Sequence, residues 1–229
     1  MKKERTLNIL SLIFNFAIVL ITINSIAYAF RTDIIRQNSY FEFDGFLSLR
    51  FFTNLSNILV AITSICVLIF NIKNAVRDEF KLPRWAVIFK FVGTVAVTVT
   101  FLTVACFLSP GIAFNGGNYF ILFKGNSFFL HFLTPVLAII SFVFFEKTEK
   151  FSFRFVFLAL IPILVYGIVY FVMVVIVQGW PDFYNLTFGG KNWMAPISAI
   201  MMLLATFAFA SLEWLSQKKW IEKQNKKAG

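Results

Sequence analysis

The chain has 229 residues, of which 59% are hydrophobic and only 14% are charged. Soluble domains carry about 25% charged residues, so this composition excludes an ordinary water-soluble domain and indicates a membrane protein. The net charge of +10 is interpreted as a mark of membrane topology that also suits an anionic lipid surface. It does not indicate nucleic acid as a partner.

Six apolar stretches reach the roughly 20 residues that a helix needs to cross a bilayer. In chain order they cover residues 7–30, 46–70, 85–108, 127–145, 155–177 and 193–215. The connections between them are too short for a soluble domain. We therefore predict an all-α membrane protein in which residues 1–229 form one bundle of six transmembrane helices.

The positions of Lys and Arg predict the orientation, because cytoplasmic segments of membrane proteins retain these residues. The N-terminus, the second and fourth connections and the C-terminal tail carry fifteen of the 21 Lys and Arg residues. The opposite side carries Arg31, Arg36, Arg50, Lys124 and Lys191. We therefore expect both termini to be cytoplasmic and the first, third and fifth connections to lie on the outer side.

The second predicted helix begins at the outer side with the stretch RFFTNLSN, residues 50–57. Spacings of three and four residues place Arg50, Thr53, Ser56 and Asn57 on one helix face. A polar stripe of this kind faces protein or water rather than lipid. Taken alone, the stripe is best explained by hydrogen bonds between packed membrane helices.

His131 is the only histidine of the chain, and it lies one turn into the fourth predicted helix from the same outer side. It is therefore expected at a depth similar to that of Thr53. An ionisable residue within a membrane segment is a candidate for function. Pro135 also leaves the carbonyl of His131 without its helical donor, so the backbone should be freed or kinked there. A histidine that simply bonds a neighbouring helix is the alternative.

Several kinds of chemistry are excluded by the residues present. A single histidine is too few for multi-histidine iron sites, HExxH zinc sites or bis-histidine haem, so no metal is predicted. The sequence has no Walker motif, no dinucleotide-binding glycine pattern and no GxSxG elbow. A hydroxyl nucleophile activated by a histidine base remains, and it needs no cofactor.

At these residues the sequence resembles the androgen-induced integral-membrane hydrolases that cleave fatty acid esters of hydroxy fatty acids, and most closely their bacterial relatives. The resemblance lies in RFFTNLSN and FFLHFLTPVLAII at the heads of the second and fourth helices. VTVTFLTVACFLSP, LVYGIVYFVMVV and GWPDFY extend it over most of the chain. It implies a catalytic pair of Thr53 and His131, a lipid-ester substrate among membrane lipids, and a bacterial cell membrane as the location.

The implied acyl transfer needs donors for an oxyanion and a group that orients the imidazole. Asn57, one turn from Thr53, is the nearest donor by sequence, and Asn54 and the hydroxyls of Thr100 and Thr103 are others at a suitable depth. Asp182 in the outer GWPDFY turn and Asn192 at the head of the sixth helix are the candidates for orienting the imidazole. We prefer Asp182, because a carboxylate stabilises imidazolium.

A substrate with a free carboxylate needs a cation, because an unpaired charge near hydrocarbon costs several kcal/mol. Arg50, one turn outward from Thr53, could hold a carboxylate by two parallel hydrogen bonds, and Lys124 is the second choice. Alternatively, Arg50 only extends to the membrane surface. The remaining candidates for substrate binding share a side-chain hydroxyl: Thr100, Thr103, Thr134, Tyr166 and Tyr170.

Two other classes of function stay open. A transporter or channel could use the polar stripe, the tyrosines of the fifth helix and proline-broken helices. We expect neither an inverted repeat nor an acidic residue in the middle of the membrane, which disfavours this class. A non-enzymatic scaffold makes no demand on Thr53 or His131. The hydrolase predicts a mainly apolar cavity in the outer half, with the inner half closed, and Trp180, Tyr184 and Trp193 are interpreted as interfacial anchors.

Overall fold

The computed structural model describes residues 2–30, 45–77, 82–146 and 151–226. Within these ranges the chain is helical without strands, and six helices are long and apolar enough to cross a membrane. They are α1 (Lys2–Ala29), α2 (Phe52–Arg77), α3 (Arg84–Phe114), α4 (Asn126–Phe144), α5 (Phe155–Ile176) and α6 (Met194–Lys226). The predicted all-α class and six helices long and apolar enough to span a membrane are confirmed, whereas the cytoplasmic termini stay a prediction. Of the charges behind that prediction, Arg31, Arg36, Lys81, Lys147, Lys150 and Lys227 lie outside the described residues.

The helices alternate in direction through the bundle. Asn8 and Ser11 near the start of α1 bond Asn71 near the end of α2, at 3.0 Å and 2.8 Å, so these two helices are antiparallel. A side chain at Gly93 would meet Thr63 Oγ1 at 2.6 Å, so α2 and α3 approach closely there, as small residues allow in membranes. We call the end where α2, α4 and α6 begin the loop end, and the opposite end the terminal end.

The second helix begins later than its hydropathy indicates. A short 3-10 helix occupies Gly45–Arg50, and α2 starts at Phe52 rather than at residue 46. The side-chain amide of Asn54 donates to the carbonyl of Ser48 at 2.8 Å and thereby joins the two segments. Arg50 therefore precedes the helix that carries Thr53 instead of extending its polar face. Hydropathy could not reveal this break, because apolar residues continue from one segment into the other.

Wide π-helical turns interrupt α3, α4 and α5. In α4 the N–H of Thr134 bonds the carbonyl of Phe129, five residues back. The carbonyl of Leu130 is left without a helical donor, because Pro135 at the matching position has no N–H. Asn57 Nδ2 on α2 donates to this carbonyl at 3.2 Å. The α-helical hydrogen bonding is disturbed near Pro135, as expected. The carbonyl that receives a side-chain hydrogen bond is that of Leu130, one residue before the expected His131. The three segments are Val104–Leu108, Phe129–Leu133 and Val172–Ile176.

The terminal half of the bundle buries charged residues. Lys90 is fully buried and donates to Ser64 Oγ at 2.6 Å, and Glu146 is fully buried near it. Glu213 on α6 lies 2.6 Å from the hydroxyl of Thr98, in the middle of α3. The expectation that no acidic residue lies mid-membrane is therefore wrong. Hydropathy averaged over a long helix conceals one carboxyl that packs against a neighbouring helix instead of lipid.

Candidate functional site

Thr53 and His131 meet at the loop end of the bundle. Thr53 lies in the first turn of α2, and His131 lies in the π-helical turn Phe129–Leu133 of α4. The distance from Thr53 Oγ1 to His131 Nε2 is 3.3 Å. The imidazole is buried, and Thr53 is partly exposed. The expected proximity of the two side chains is thus present, although they are 78 residues apart in sequence.

The imidazole is oriented by a backbone carbonyl. His131 Nδ1 lies 2.7 Å from the carbonyl oxygen of Leu122, in the 3-10 helix Tyr119–Phe123 that precedes α4. A carbonyl only accepts hydrogen bonds, so Nδ1 carries the proton and Nε2 presents its lone pair to Thr53. The Tyr119 hydroxyl donates to the carbonyl of Ala105 at 2.7 Å and holds this short helix against α3. The hydroxyl of Thr53 is therefore the donor of the pair.

This arrangement corrects the two residues expected to orient the imidazole. Asp182 Oδ1 accepts from the Tyr170 hydroxyl at 2.8 Å and from the Leu186 N–H at 2.9 Å. Its Oδ2 accepts from the N–H and the hydroxyl of Thr187, at 2.7 Å and 2.6 Å. Burial acts to raise the pKa of Asp182, but these bonds, those from Thr187 foremost, lower it below its usual range. Asp182 therefore organises the loop after α5, while Asn192 is exposed to solvent.

The two asparagines expected to stabilise an oxyanion use their donors elsewhere. Asn57 Nδ2 donates to the carbonyls of Thr53 and Leu130, at 2.7 Å and 3.2 Å. Asn54 Nδ2 donates to Ser48. Asn57 therefore joins α2 to α4 directly behind the pair, and Asn54 holds the start of α2. The sequence identified Asn57 as part of the polar stripe and Asn54 as a donor near Thr53, but it did not show the groups to which their amides donate.

Two hydroxyls tie α2 to α3 beside the pair. Ser56 Oγ lies 3.0 Å from the carbonyl of Thr53 and 2.7 Å from Thr100 Oγ1. Thr100 is buried and also lies 3.4 Å from the carbonyl of Ala96. This part of the polar stripe therefore packs helices together, as its simplest explanation proposed.

Thr53 opens onto an apolar cavity of about 360 Å³ between α3, α5 and α6. Most of its lining residues are apolar, such as Phe52, Val104 and Leu203. Gly167 on α5 also lines the cavity, and a side chain added there would meet no atom within 4 Å. The catalytic candidate Thr53 stands between this cavity and the buried imidazole. Its other polar lining residues are hydroxyl side chains only: Thr100, Thr103, Tyr166, Tyr170, Tyr184 and Thr187. The cavity matches the mainly apolar one expected for a lipid ester.

Tyr184 belongs to this site, although the sequence indicated only an interfacial anchor. Its hydroxyl accepts from the backbone N–H of Phe52 at 2.9 Å, directly before Thr53 in the chain. Burial raises the pKa of Tyr184 to about 12, against the lowering effect of the neighbouring Tyr166 and of the Phe52 N–H. The phenol is therefore protonated at neutral pH. In the sequence, the GWPDFY turn indicates only that Tyr184 lies near the outer end of the bundle. No spacing between residues links Tyr184 to α2.

A second space lies next to the cavity at the loop end. This vestibule, of about 790 Å³, is lined by Arg50, Asn115, Asp182 and Asn185 among others, and shares Leu108 with the cavity. Arg50 Nε donates to the carbonyl of Leu47 at 3.1 Å. Arg50 therefore faces the vestibule and does not line the cavity that contains Thr53.

Two remaining candidates for substrate binding lie away from the cavity. Lys124 is exposed and lines neither the cavity nor the vestibule in the described part of the chain. Thr134 is fully buried, and among the described residues its hydroxyl has no hydrogen-bond partner. Neither side chain touches the space at which Thr53 opens.

Comparison of the chain with protein-family models, with curated proteins and with solved structures finds no match. Among the described residues, no group of three or more His, Cys, Asp and Glu side chains could hold a metal ion. The geometry around Thr53 and His131 therefore carries the functional argument, together with the resemblance stated above.

Proposed function

We propose that this chain is an integral-membrane hydrolase of lipid esters, with Thr53 as the nucleophile and His131 as the base. The observation that carries the proposal is the 3.3 Å approach of Nε2 to the Thr53 hydroxyl, with Nδ1 held by the carbonyl of Leu122. A hydroxyl, an adjacent base and a group that orients the base form the usual arrangement of an activated nucleophile. The resemblance to the androgen-induced hydrolases and their bacterial relatives supports the same pair.

The reaction proceeds by two acyl transfers. His131 Nε2 takes the Thr53 proton while Oγ1 attacks the ester carbonyl, and the resulting imidazolium then protonates the departing alcohol. The acyl group is left as an ester of Thr53. His131 next takes a proton from water, the hydroxide attacks the acyl carbonyl, and the proton returns to Thr53 Oγ1 as the carboxylic acid leaves.

The two spaces suit different parts of such a substrate. The cavity beside Thr53 has no charged lining residue among those described, which favours hydrocarbon chains. A carboxylate on the substrate, as in fatty acid esters of hydroxy fatty acids, would extend past Leu108 into the vestibule, where Arg50 lies. With both termini in the cytoplasm, this site belongs to the outer leaflet of a bacterial cell membrane.

Fluorophosphonate labelling of the purified protein tests the proposal. We expect one adduct, on Thr53, that is absent from Thr53→Ala and lost or strongly slowed in His131→Ala. Hydrolysis of p-nitrophenyl octanoate by the same preparations should be lost in both variants. An adduct on another residue, or hydrolysis that persists in Thr53→Ala, would contradict the assignment.

A transporter is the second candidate, because the terminal half buries Lys90, Glu146 and Glu213. Buried ionisable side chains of membrane helices often mark ion or proton paths. None of the three lines the cavity that contains Thr53. A transporter or a scaffold requires no ester hydrolysis, so a purified protein that hydrolyses esters only while Thr53 and His131 are present excludes both as its sole function.

A further inference from the structure

Attack on an ester places negative charge on the carbonyl oxygen, and the site needs a donor for that oxygen. Asn57 and Asn54 do not supply it, because neither lines the cavity and their amide groups donate to backbone carbonyls. Thr100 is engaged with Ser56. Thr103 lines the cavity, but among the described residues no hydrogen bond holds it at α2. The donor sought must line the cavity and also be held at the start of α2, beside Thr53.

Tyr184 meets both conditions. Its side chain is 8% exposed, it lines the cavity that Thr53 also lines, and its hydroxyl is bonded to the backbone of Phe52, the residue before Thr53. The backbone N–H of Phe52, the first residue of α2, donates to the phenol oxygen at 2.9 Å. The first N–H groups of a helix have no partner within it and carry its positive end. A hydroxyl that accepts such a bond becomes a stronger donor of its own proton.

The proton of Tyr184 is available for donation. The neighbouring Tyr166 gives its own proton to the carbonyl of Arg50, at 2.7 Å. Among the described residues, the Tyr184 hydroxyl makes one hydrogen bond, which it accepts from Phe52, so its own proton is not committed to a protein acceptor. An oxyanion formed beside Thr53 would be a charged and therefore strong acceptor.

We propose that Tyr184 is the oxyanion donor of this site, an inference that rests on the proposed function. As Thr53 Oγ1 bonds the ester carbon, the carbonyl electron pair moves onto its oxygen, which accepts a hydrogen bond from the Tyr184 hydroxyl. The pair returns to re-form the carbonyl as the alcohol leaves. Tyr184 keeps its proton throughout, and the same bond serves when water attacks the acyl group.

The loop holds Tyr184 in place before substrate arrives. The N–H of Tyr184 bonds the Tyr170 hydroxyl at 3.1 Å, and that hydroxyl donates to Asp182 at 2.8 Å. The ring of Tyr184 also packs on Tyr170, with ring centres 5.4 Å apart. A donor fixed in advance stabilises the transition state without reorganisation.

Tyr184→Phe tests the proposal on p-nitrophenyl octanoate. We expect kcat to fall about 10²- to 10³-fold, the usual loss for one oxyanion donor, with KM within about twofold. The matched control is Tyr28→Phe, which removes a hydroxyl from an exposed tyrosine of α1 and should leave kcat unchanged. A kcat within threefold of wild type in Tyr184→Phe overturns the proposal.

A trifluoromethyl ketone distinguishes hydrogen-bond donation by Tyr184 from a structural role, because Thr53 adds to the ketone to give an oxyanion, whereas the matching alkyl ether gives none. Tyr184→Phe should lower the affinity for the ketone by the same factor as it lowers kcat/KM, and it should leave the affinity for the ether unchanged. Equal weakening of both ligands would show that Tyr184 only shapes the cavity. If Thr53→Ala abolishes hydrolysis and Tyr184→Phe does not, this inference fails and the proposed function stands.

Replacement of Tyr184 by 3,5-difluorotyrosine keeps the ring and the hydroxyl, should Tyr184→Phe fold poorly. Fluorination lowers the pKa of the phenol, and a deprotonated phenol cannot donate. The alkaline limit of kcat should therefore move to lower pH. In the described part of the chain, Tyr166 and Tyr170 on α5 face Tyr184, Asp182 lies two residues away on the same loop, and His131 on α4 lies beyond Thr53. All four are unaltered in this variant. An unmoved alkaline limit contradicts donation by Tyr184.

Discussion

The hydrogen bond between His131 and the carbonyl of Leu122 determines which nitrogen of the imidazole can act as a base. Because the carbonyl accepts from Nδ1 at 2.7 Å, the lone pair of Nε2 points to Thr53. A neutral carbonyl orients the ring as a carboxylate would, but it stabilises the imidazolium less. At the level of single residues, the site resembles a triad whose third member is part of the backbone.

Arg50→Gln tests whether the cation of the vestibule binds a substrate carboxylate. Hydrogen bonds to charged groups contribute about 1.5–3 kcal/mol, so kcat/KM for a carboxylate-bearing ester should fall roughly 10- to 100-fold. The methylated ester of the same chain should be affected less than threefold. Lys191→Gln, at an exposed cation, is the control. Equal slowing of both esters would show that Arg50 does not bind the carboxylate.

At the level of helices, the π-helical turn of α4 and the asparagine of α2 form one unit. The wide turn and Pro135 leave the carbonyl of Leu130 without a helical donor, and Asn57 supplies the missing bond. Because the same amide also bonds the carbonyl of Thr53, it fixes the distance between the two helices beside Thr53 and His131. Proline, the wide turn and Asn57 therefore act together to position His131.

Asn57→Ala should destabilise the bundle by about 1–3 kcal/mol, because the buried carbonyl of Leu130 loses its donor. Hydrolysis should fall as well, since Leu130 precedes His131 in the chain. The thermal unfolding midpoint in detergent measures the first effect. Asn24→Ala is the matched control, because the exposed Asn24 amide also bonds a backbone carbonyl, that of Leu20. If the unfolding midpoint of Asn57→Ala equals that of Asn24→Ala, Asn57 does not stabilise the bundle through the carbonyl of Leu130.

Asp182 in the loop between α5 and α6 should make the stability of the protein depend on pH. The pKa of Asp182 is lowered in the folded protein, chiefly by hydrogen bonds from Thr187 that outweigh its burial. A lowered pKa contributes stability above the unfolded value, and that contribution is lost as pH falls through the folded pKa. The unfolding midpoint of wild type should therefore exceed that of Asp182→Asn at pH 7, and the difference should shrink below pH 3.8. A difference that stays constant down to pH 3 contradicts this account.

At the level of the whole molecule, the two halves of the bundle differ in what they bury. The loop half contains the pair, the apolar cavity and the vestibule. The terminal half contains Lys90, Glu146 and a network of polar side chains from several helices. Asn15 Nδ2 and Ser141 Oγ both reach Glu146 Oε1, at 2.8 Å and 2.6 Å, and join α1 to the end of α4. Such bonds hold membrane helices together where hydrophobic burial provides little preference between lipid and protein.

Gly167→Phe tests whether the cavity holds the hydrocarbon of the substrate. Gly167 lines the cavity, and a side chain there meets no atom within 4 Å, so a phenyl ring can occupy the space. We expect kcat/KM for a long-chain ester to fall at least tenfold, while the rate of labelling by a small fluorophosphonate stays within twofold. Leu158→Phe, on an exposed position of α5, is the control. A parallel loss of labelling would mean that the substitution distorts the pair itself.

The amino-acid sequence by itself determined the all-α class and the six helices long and apolar enough to span a membrane, because length and hydropathy are local properties of each helix. It placed Thr53 and His131 at similar depth, and the family resemblance, not the depth, paired them. The tertiary structure decided which groups surround the pair. Tyr184 and Phe52 are 132 residues apart, and the bond between them depends on how a loop folds back over α2. The partner of His131 is a carbonyl that any residue could provide, so no pattern of side chains could reveal it.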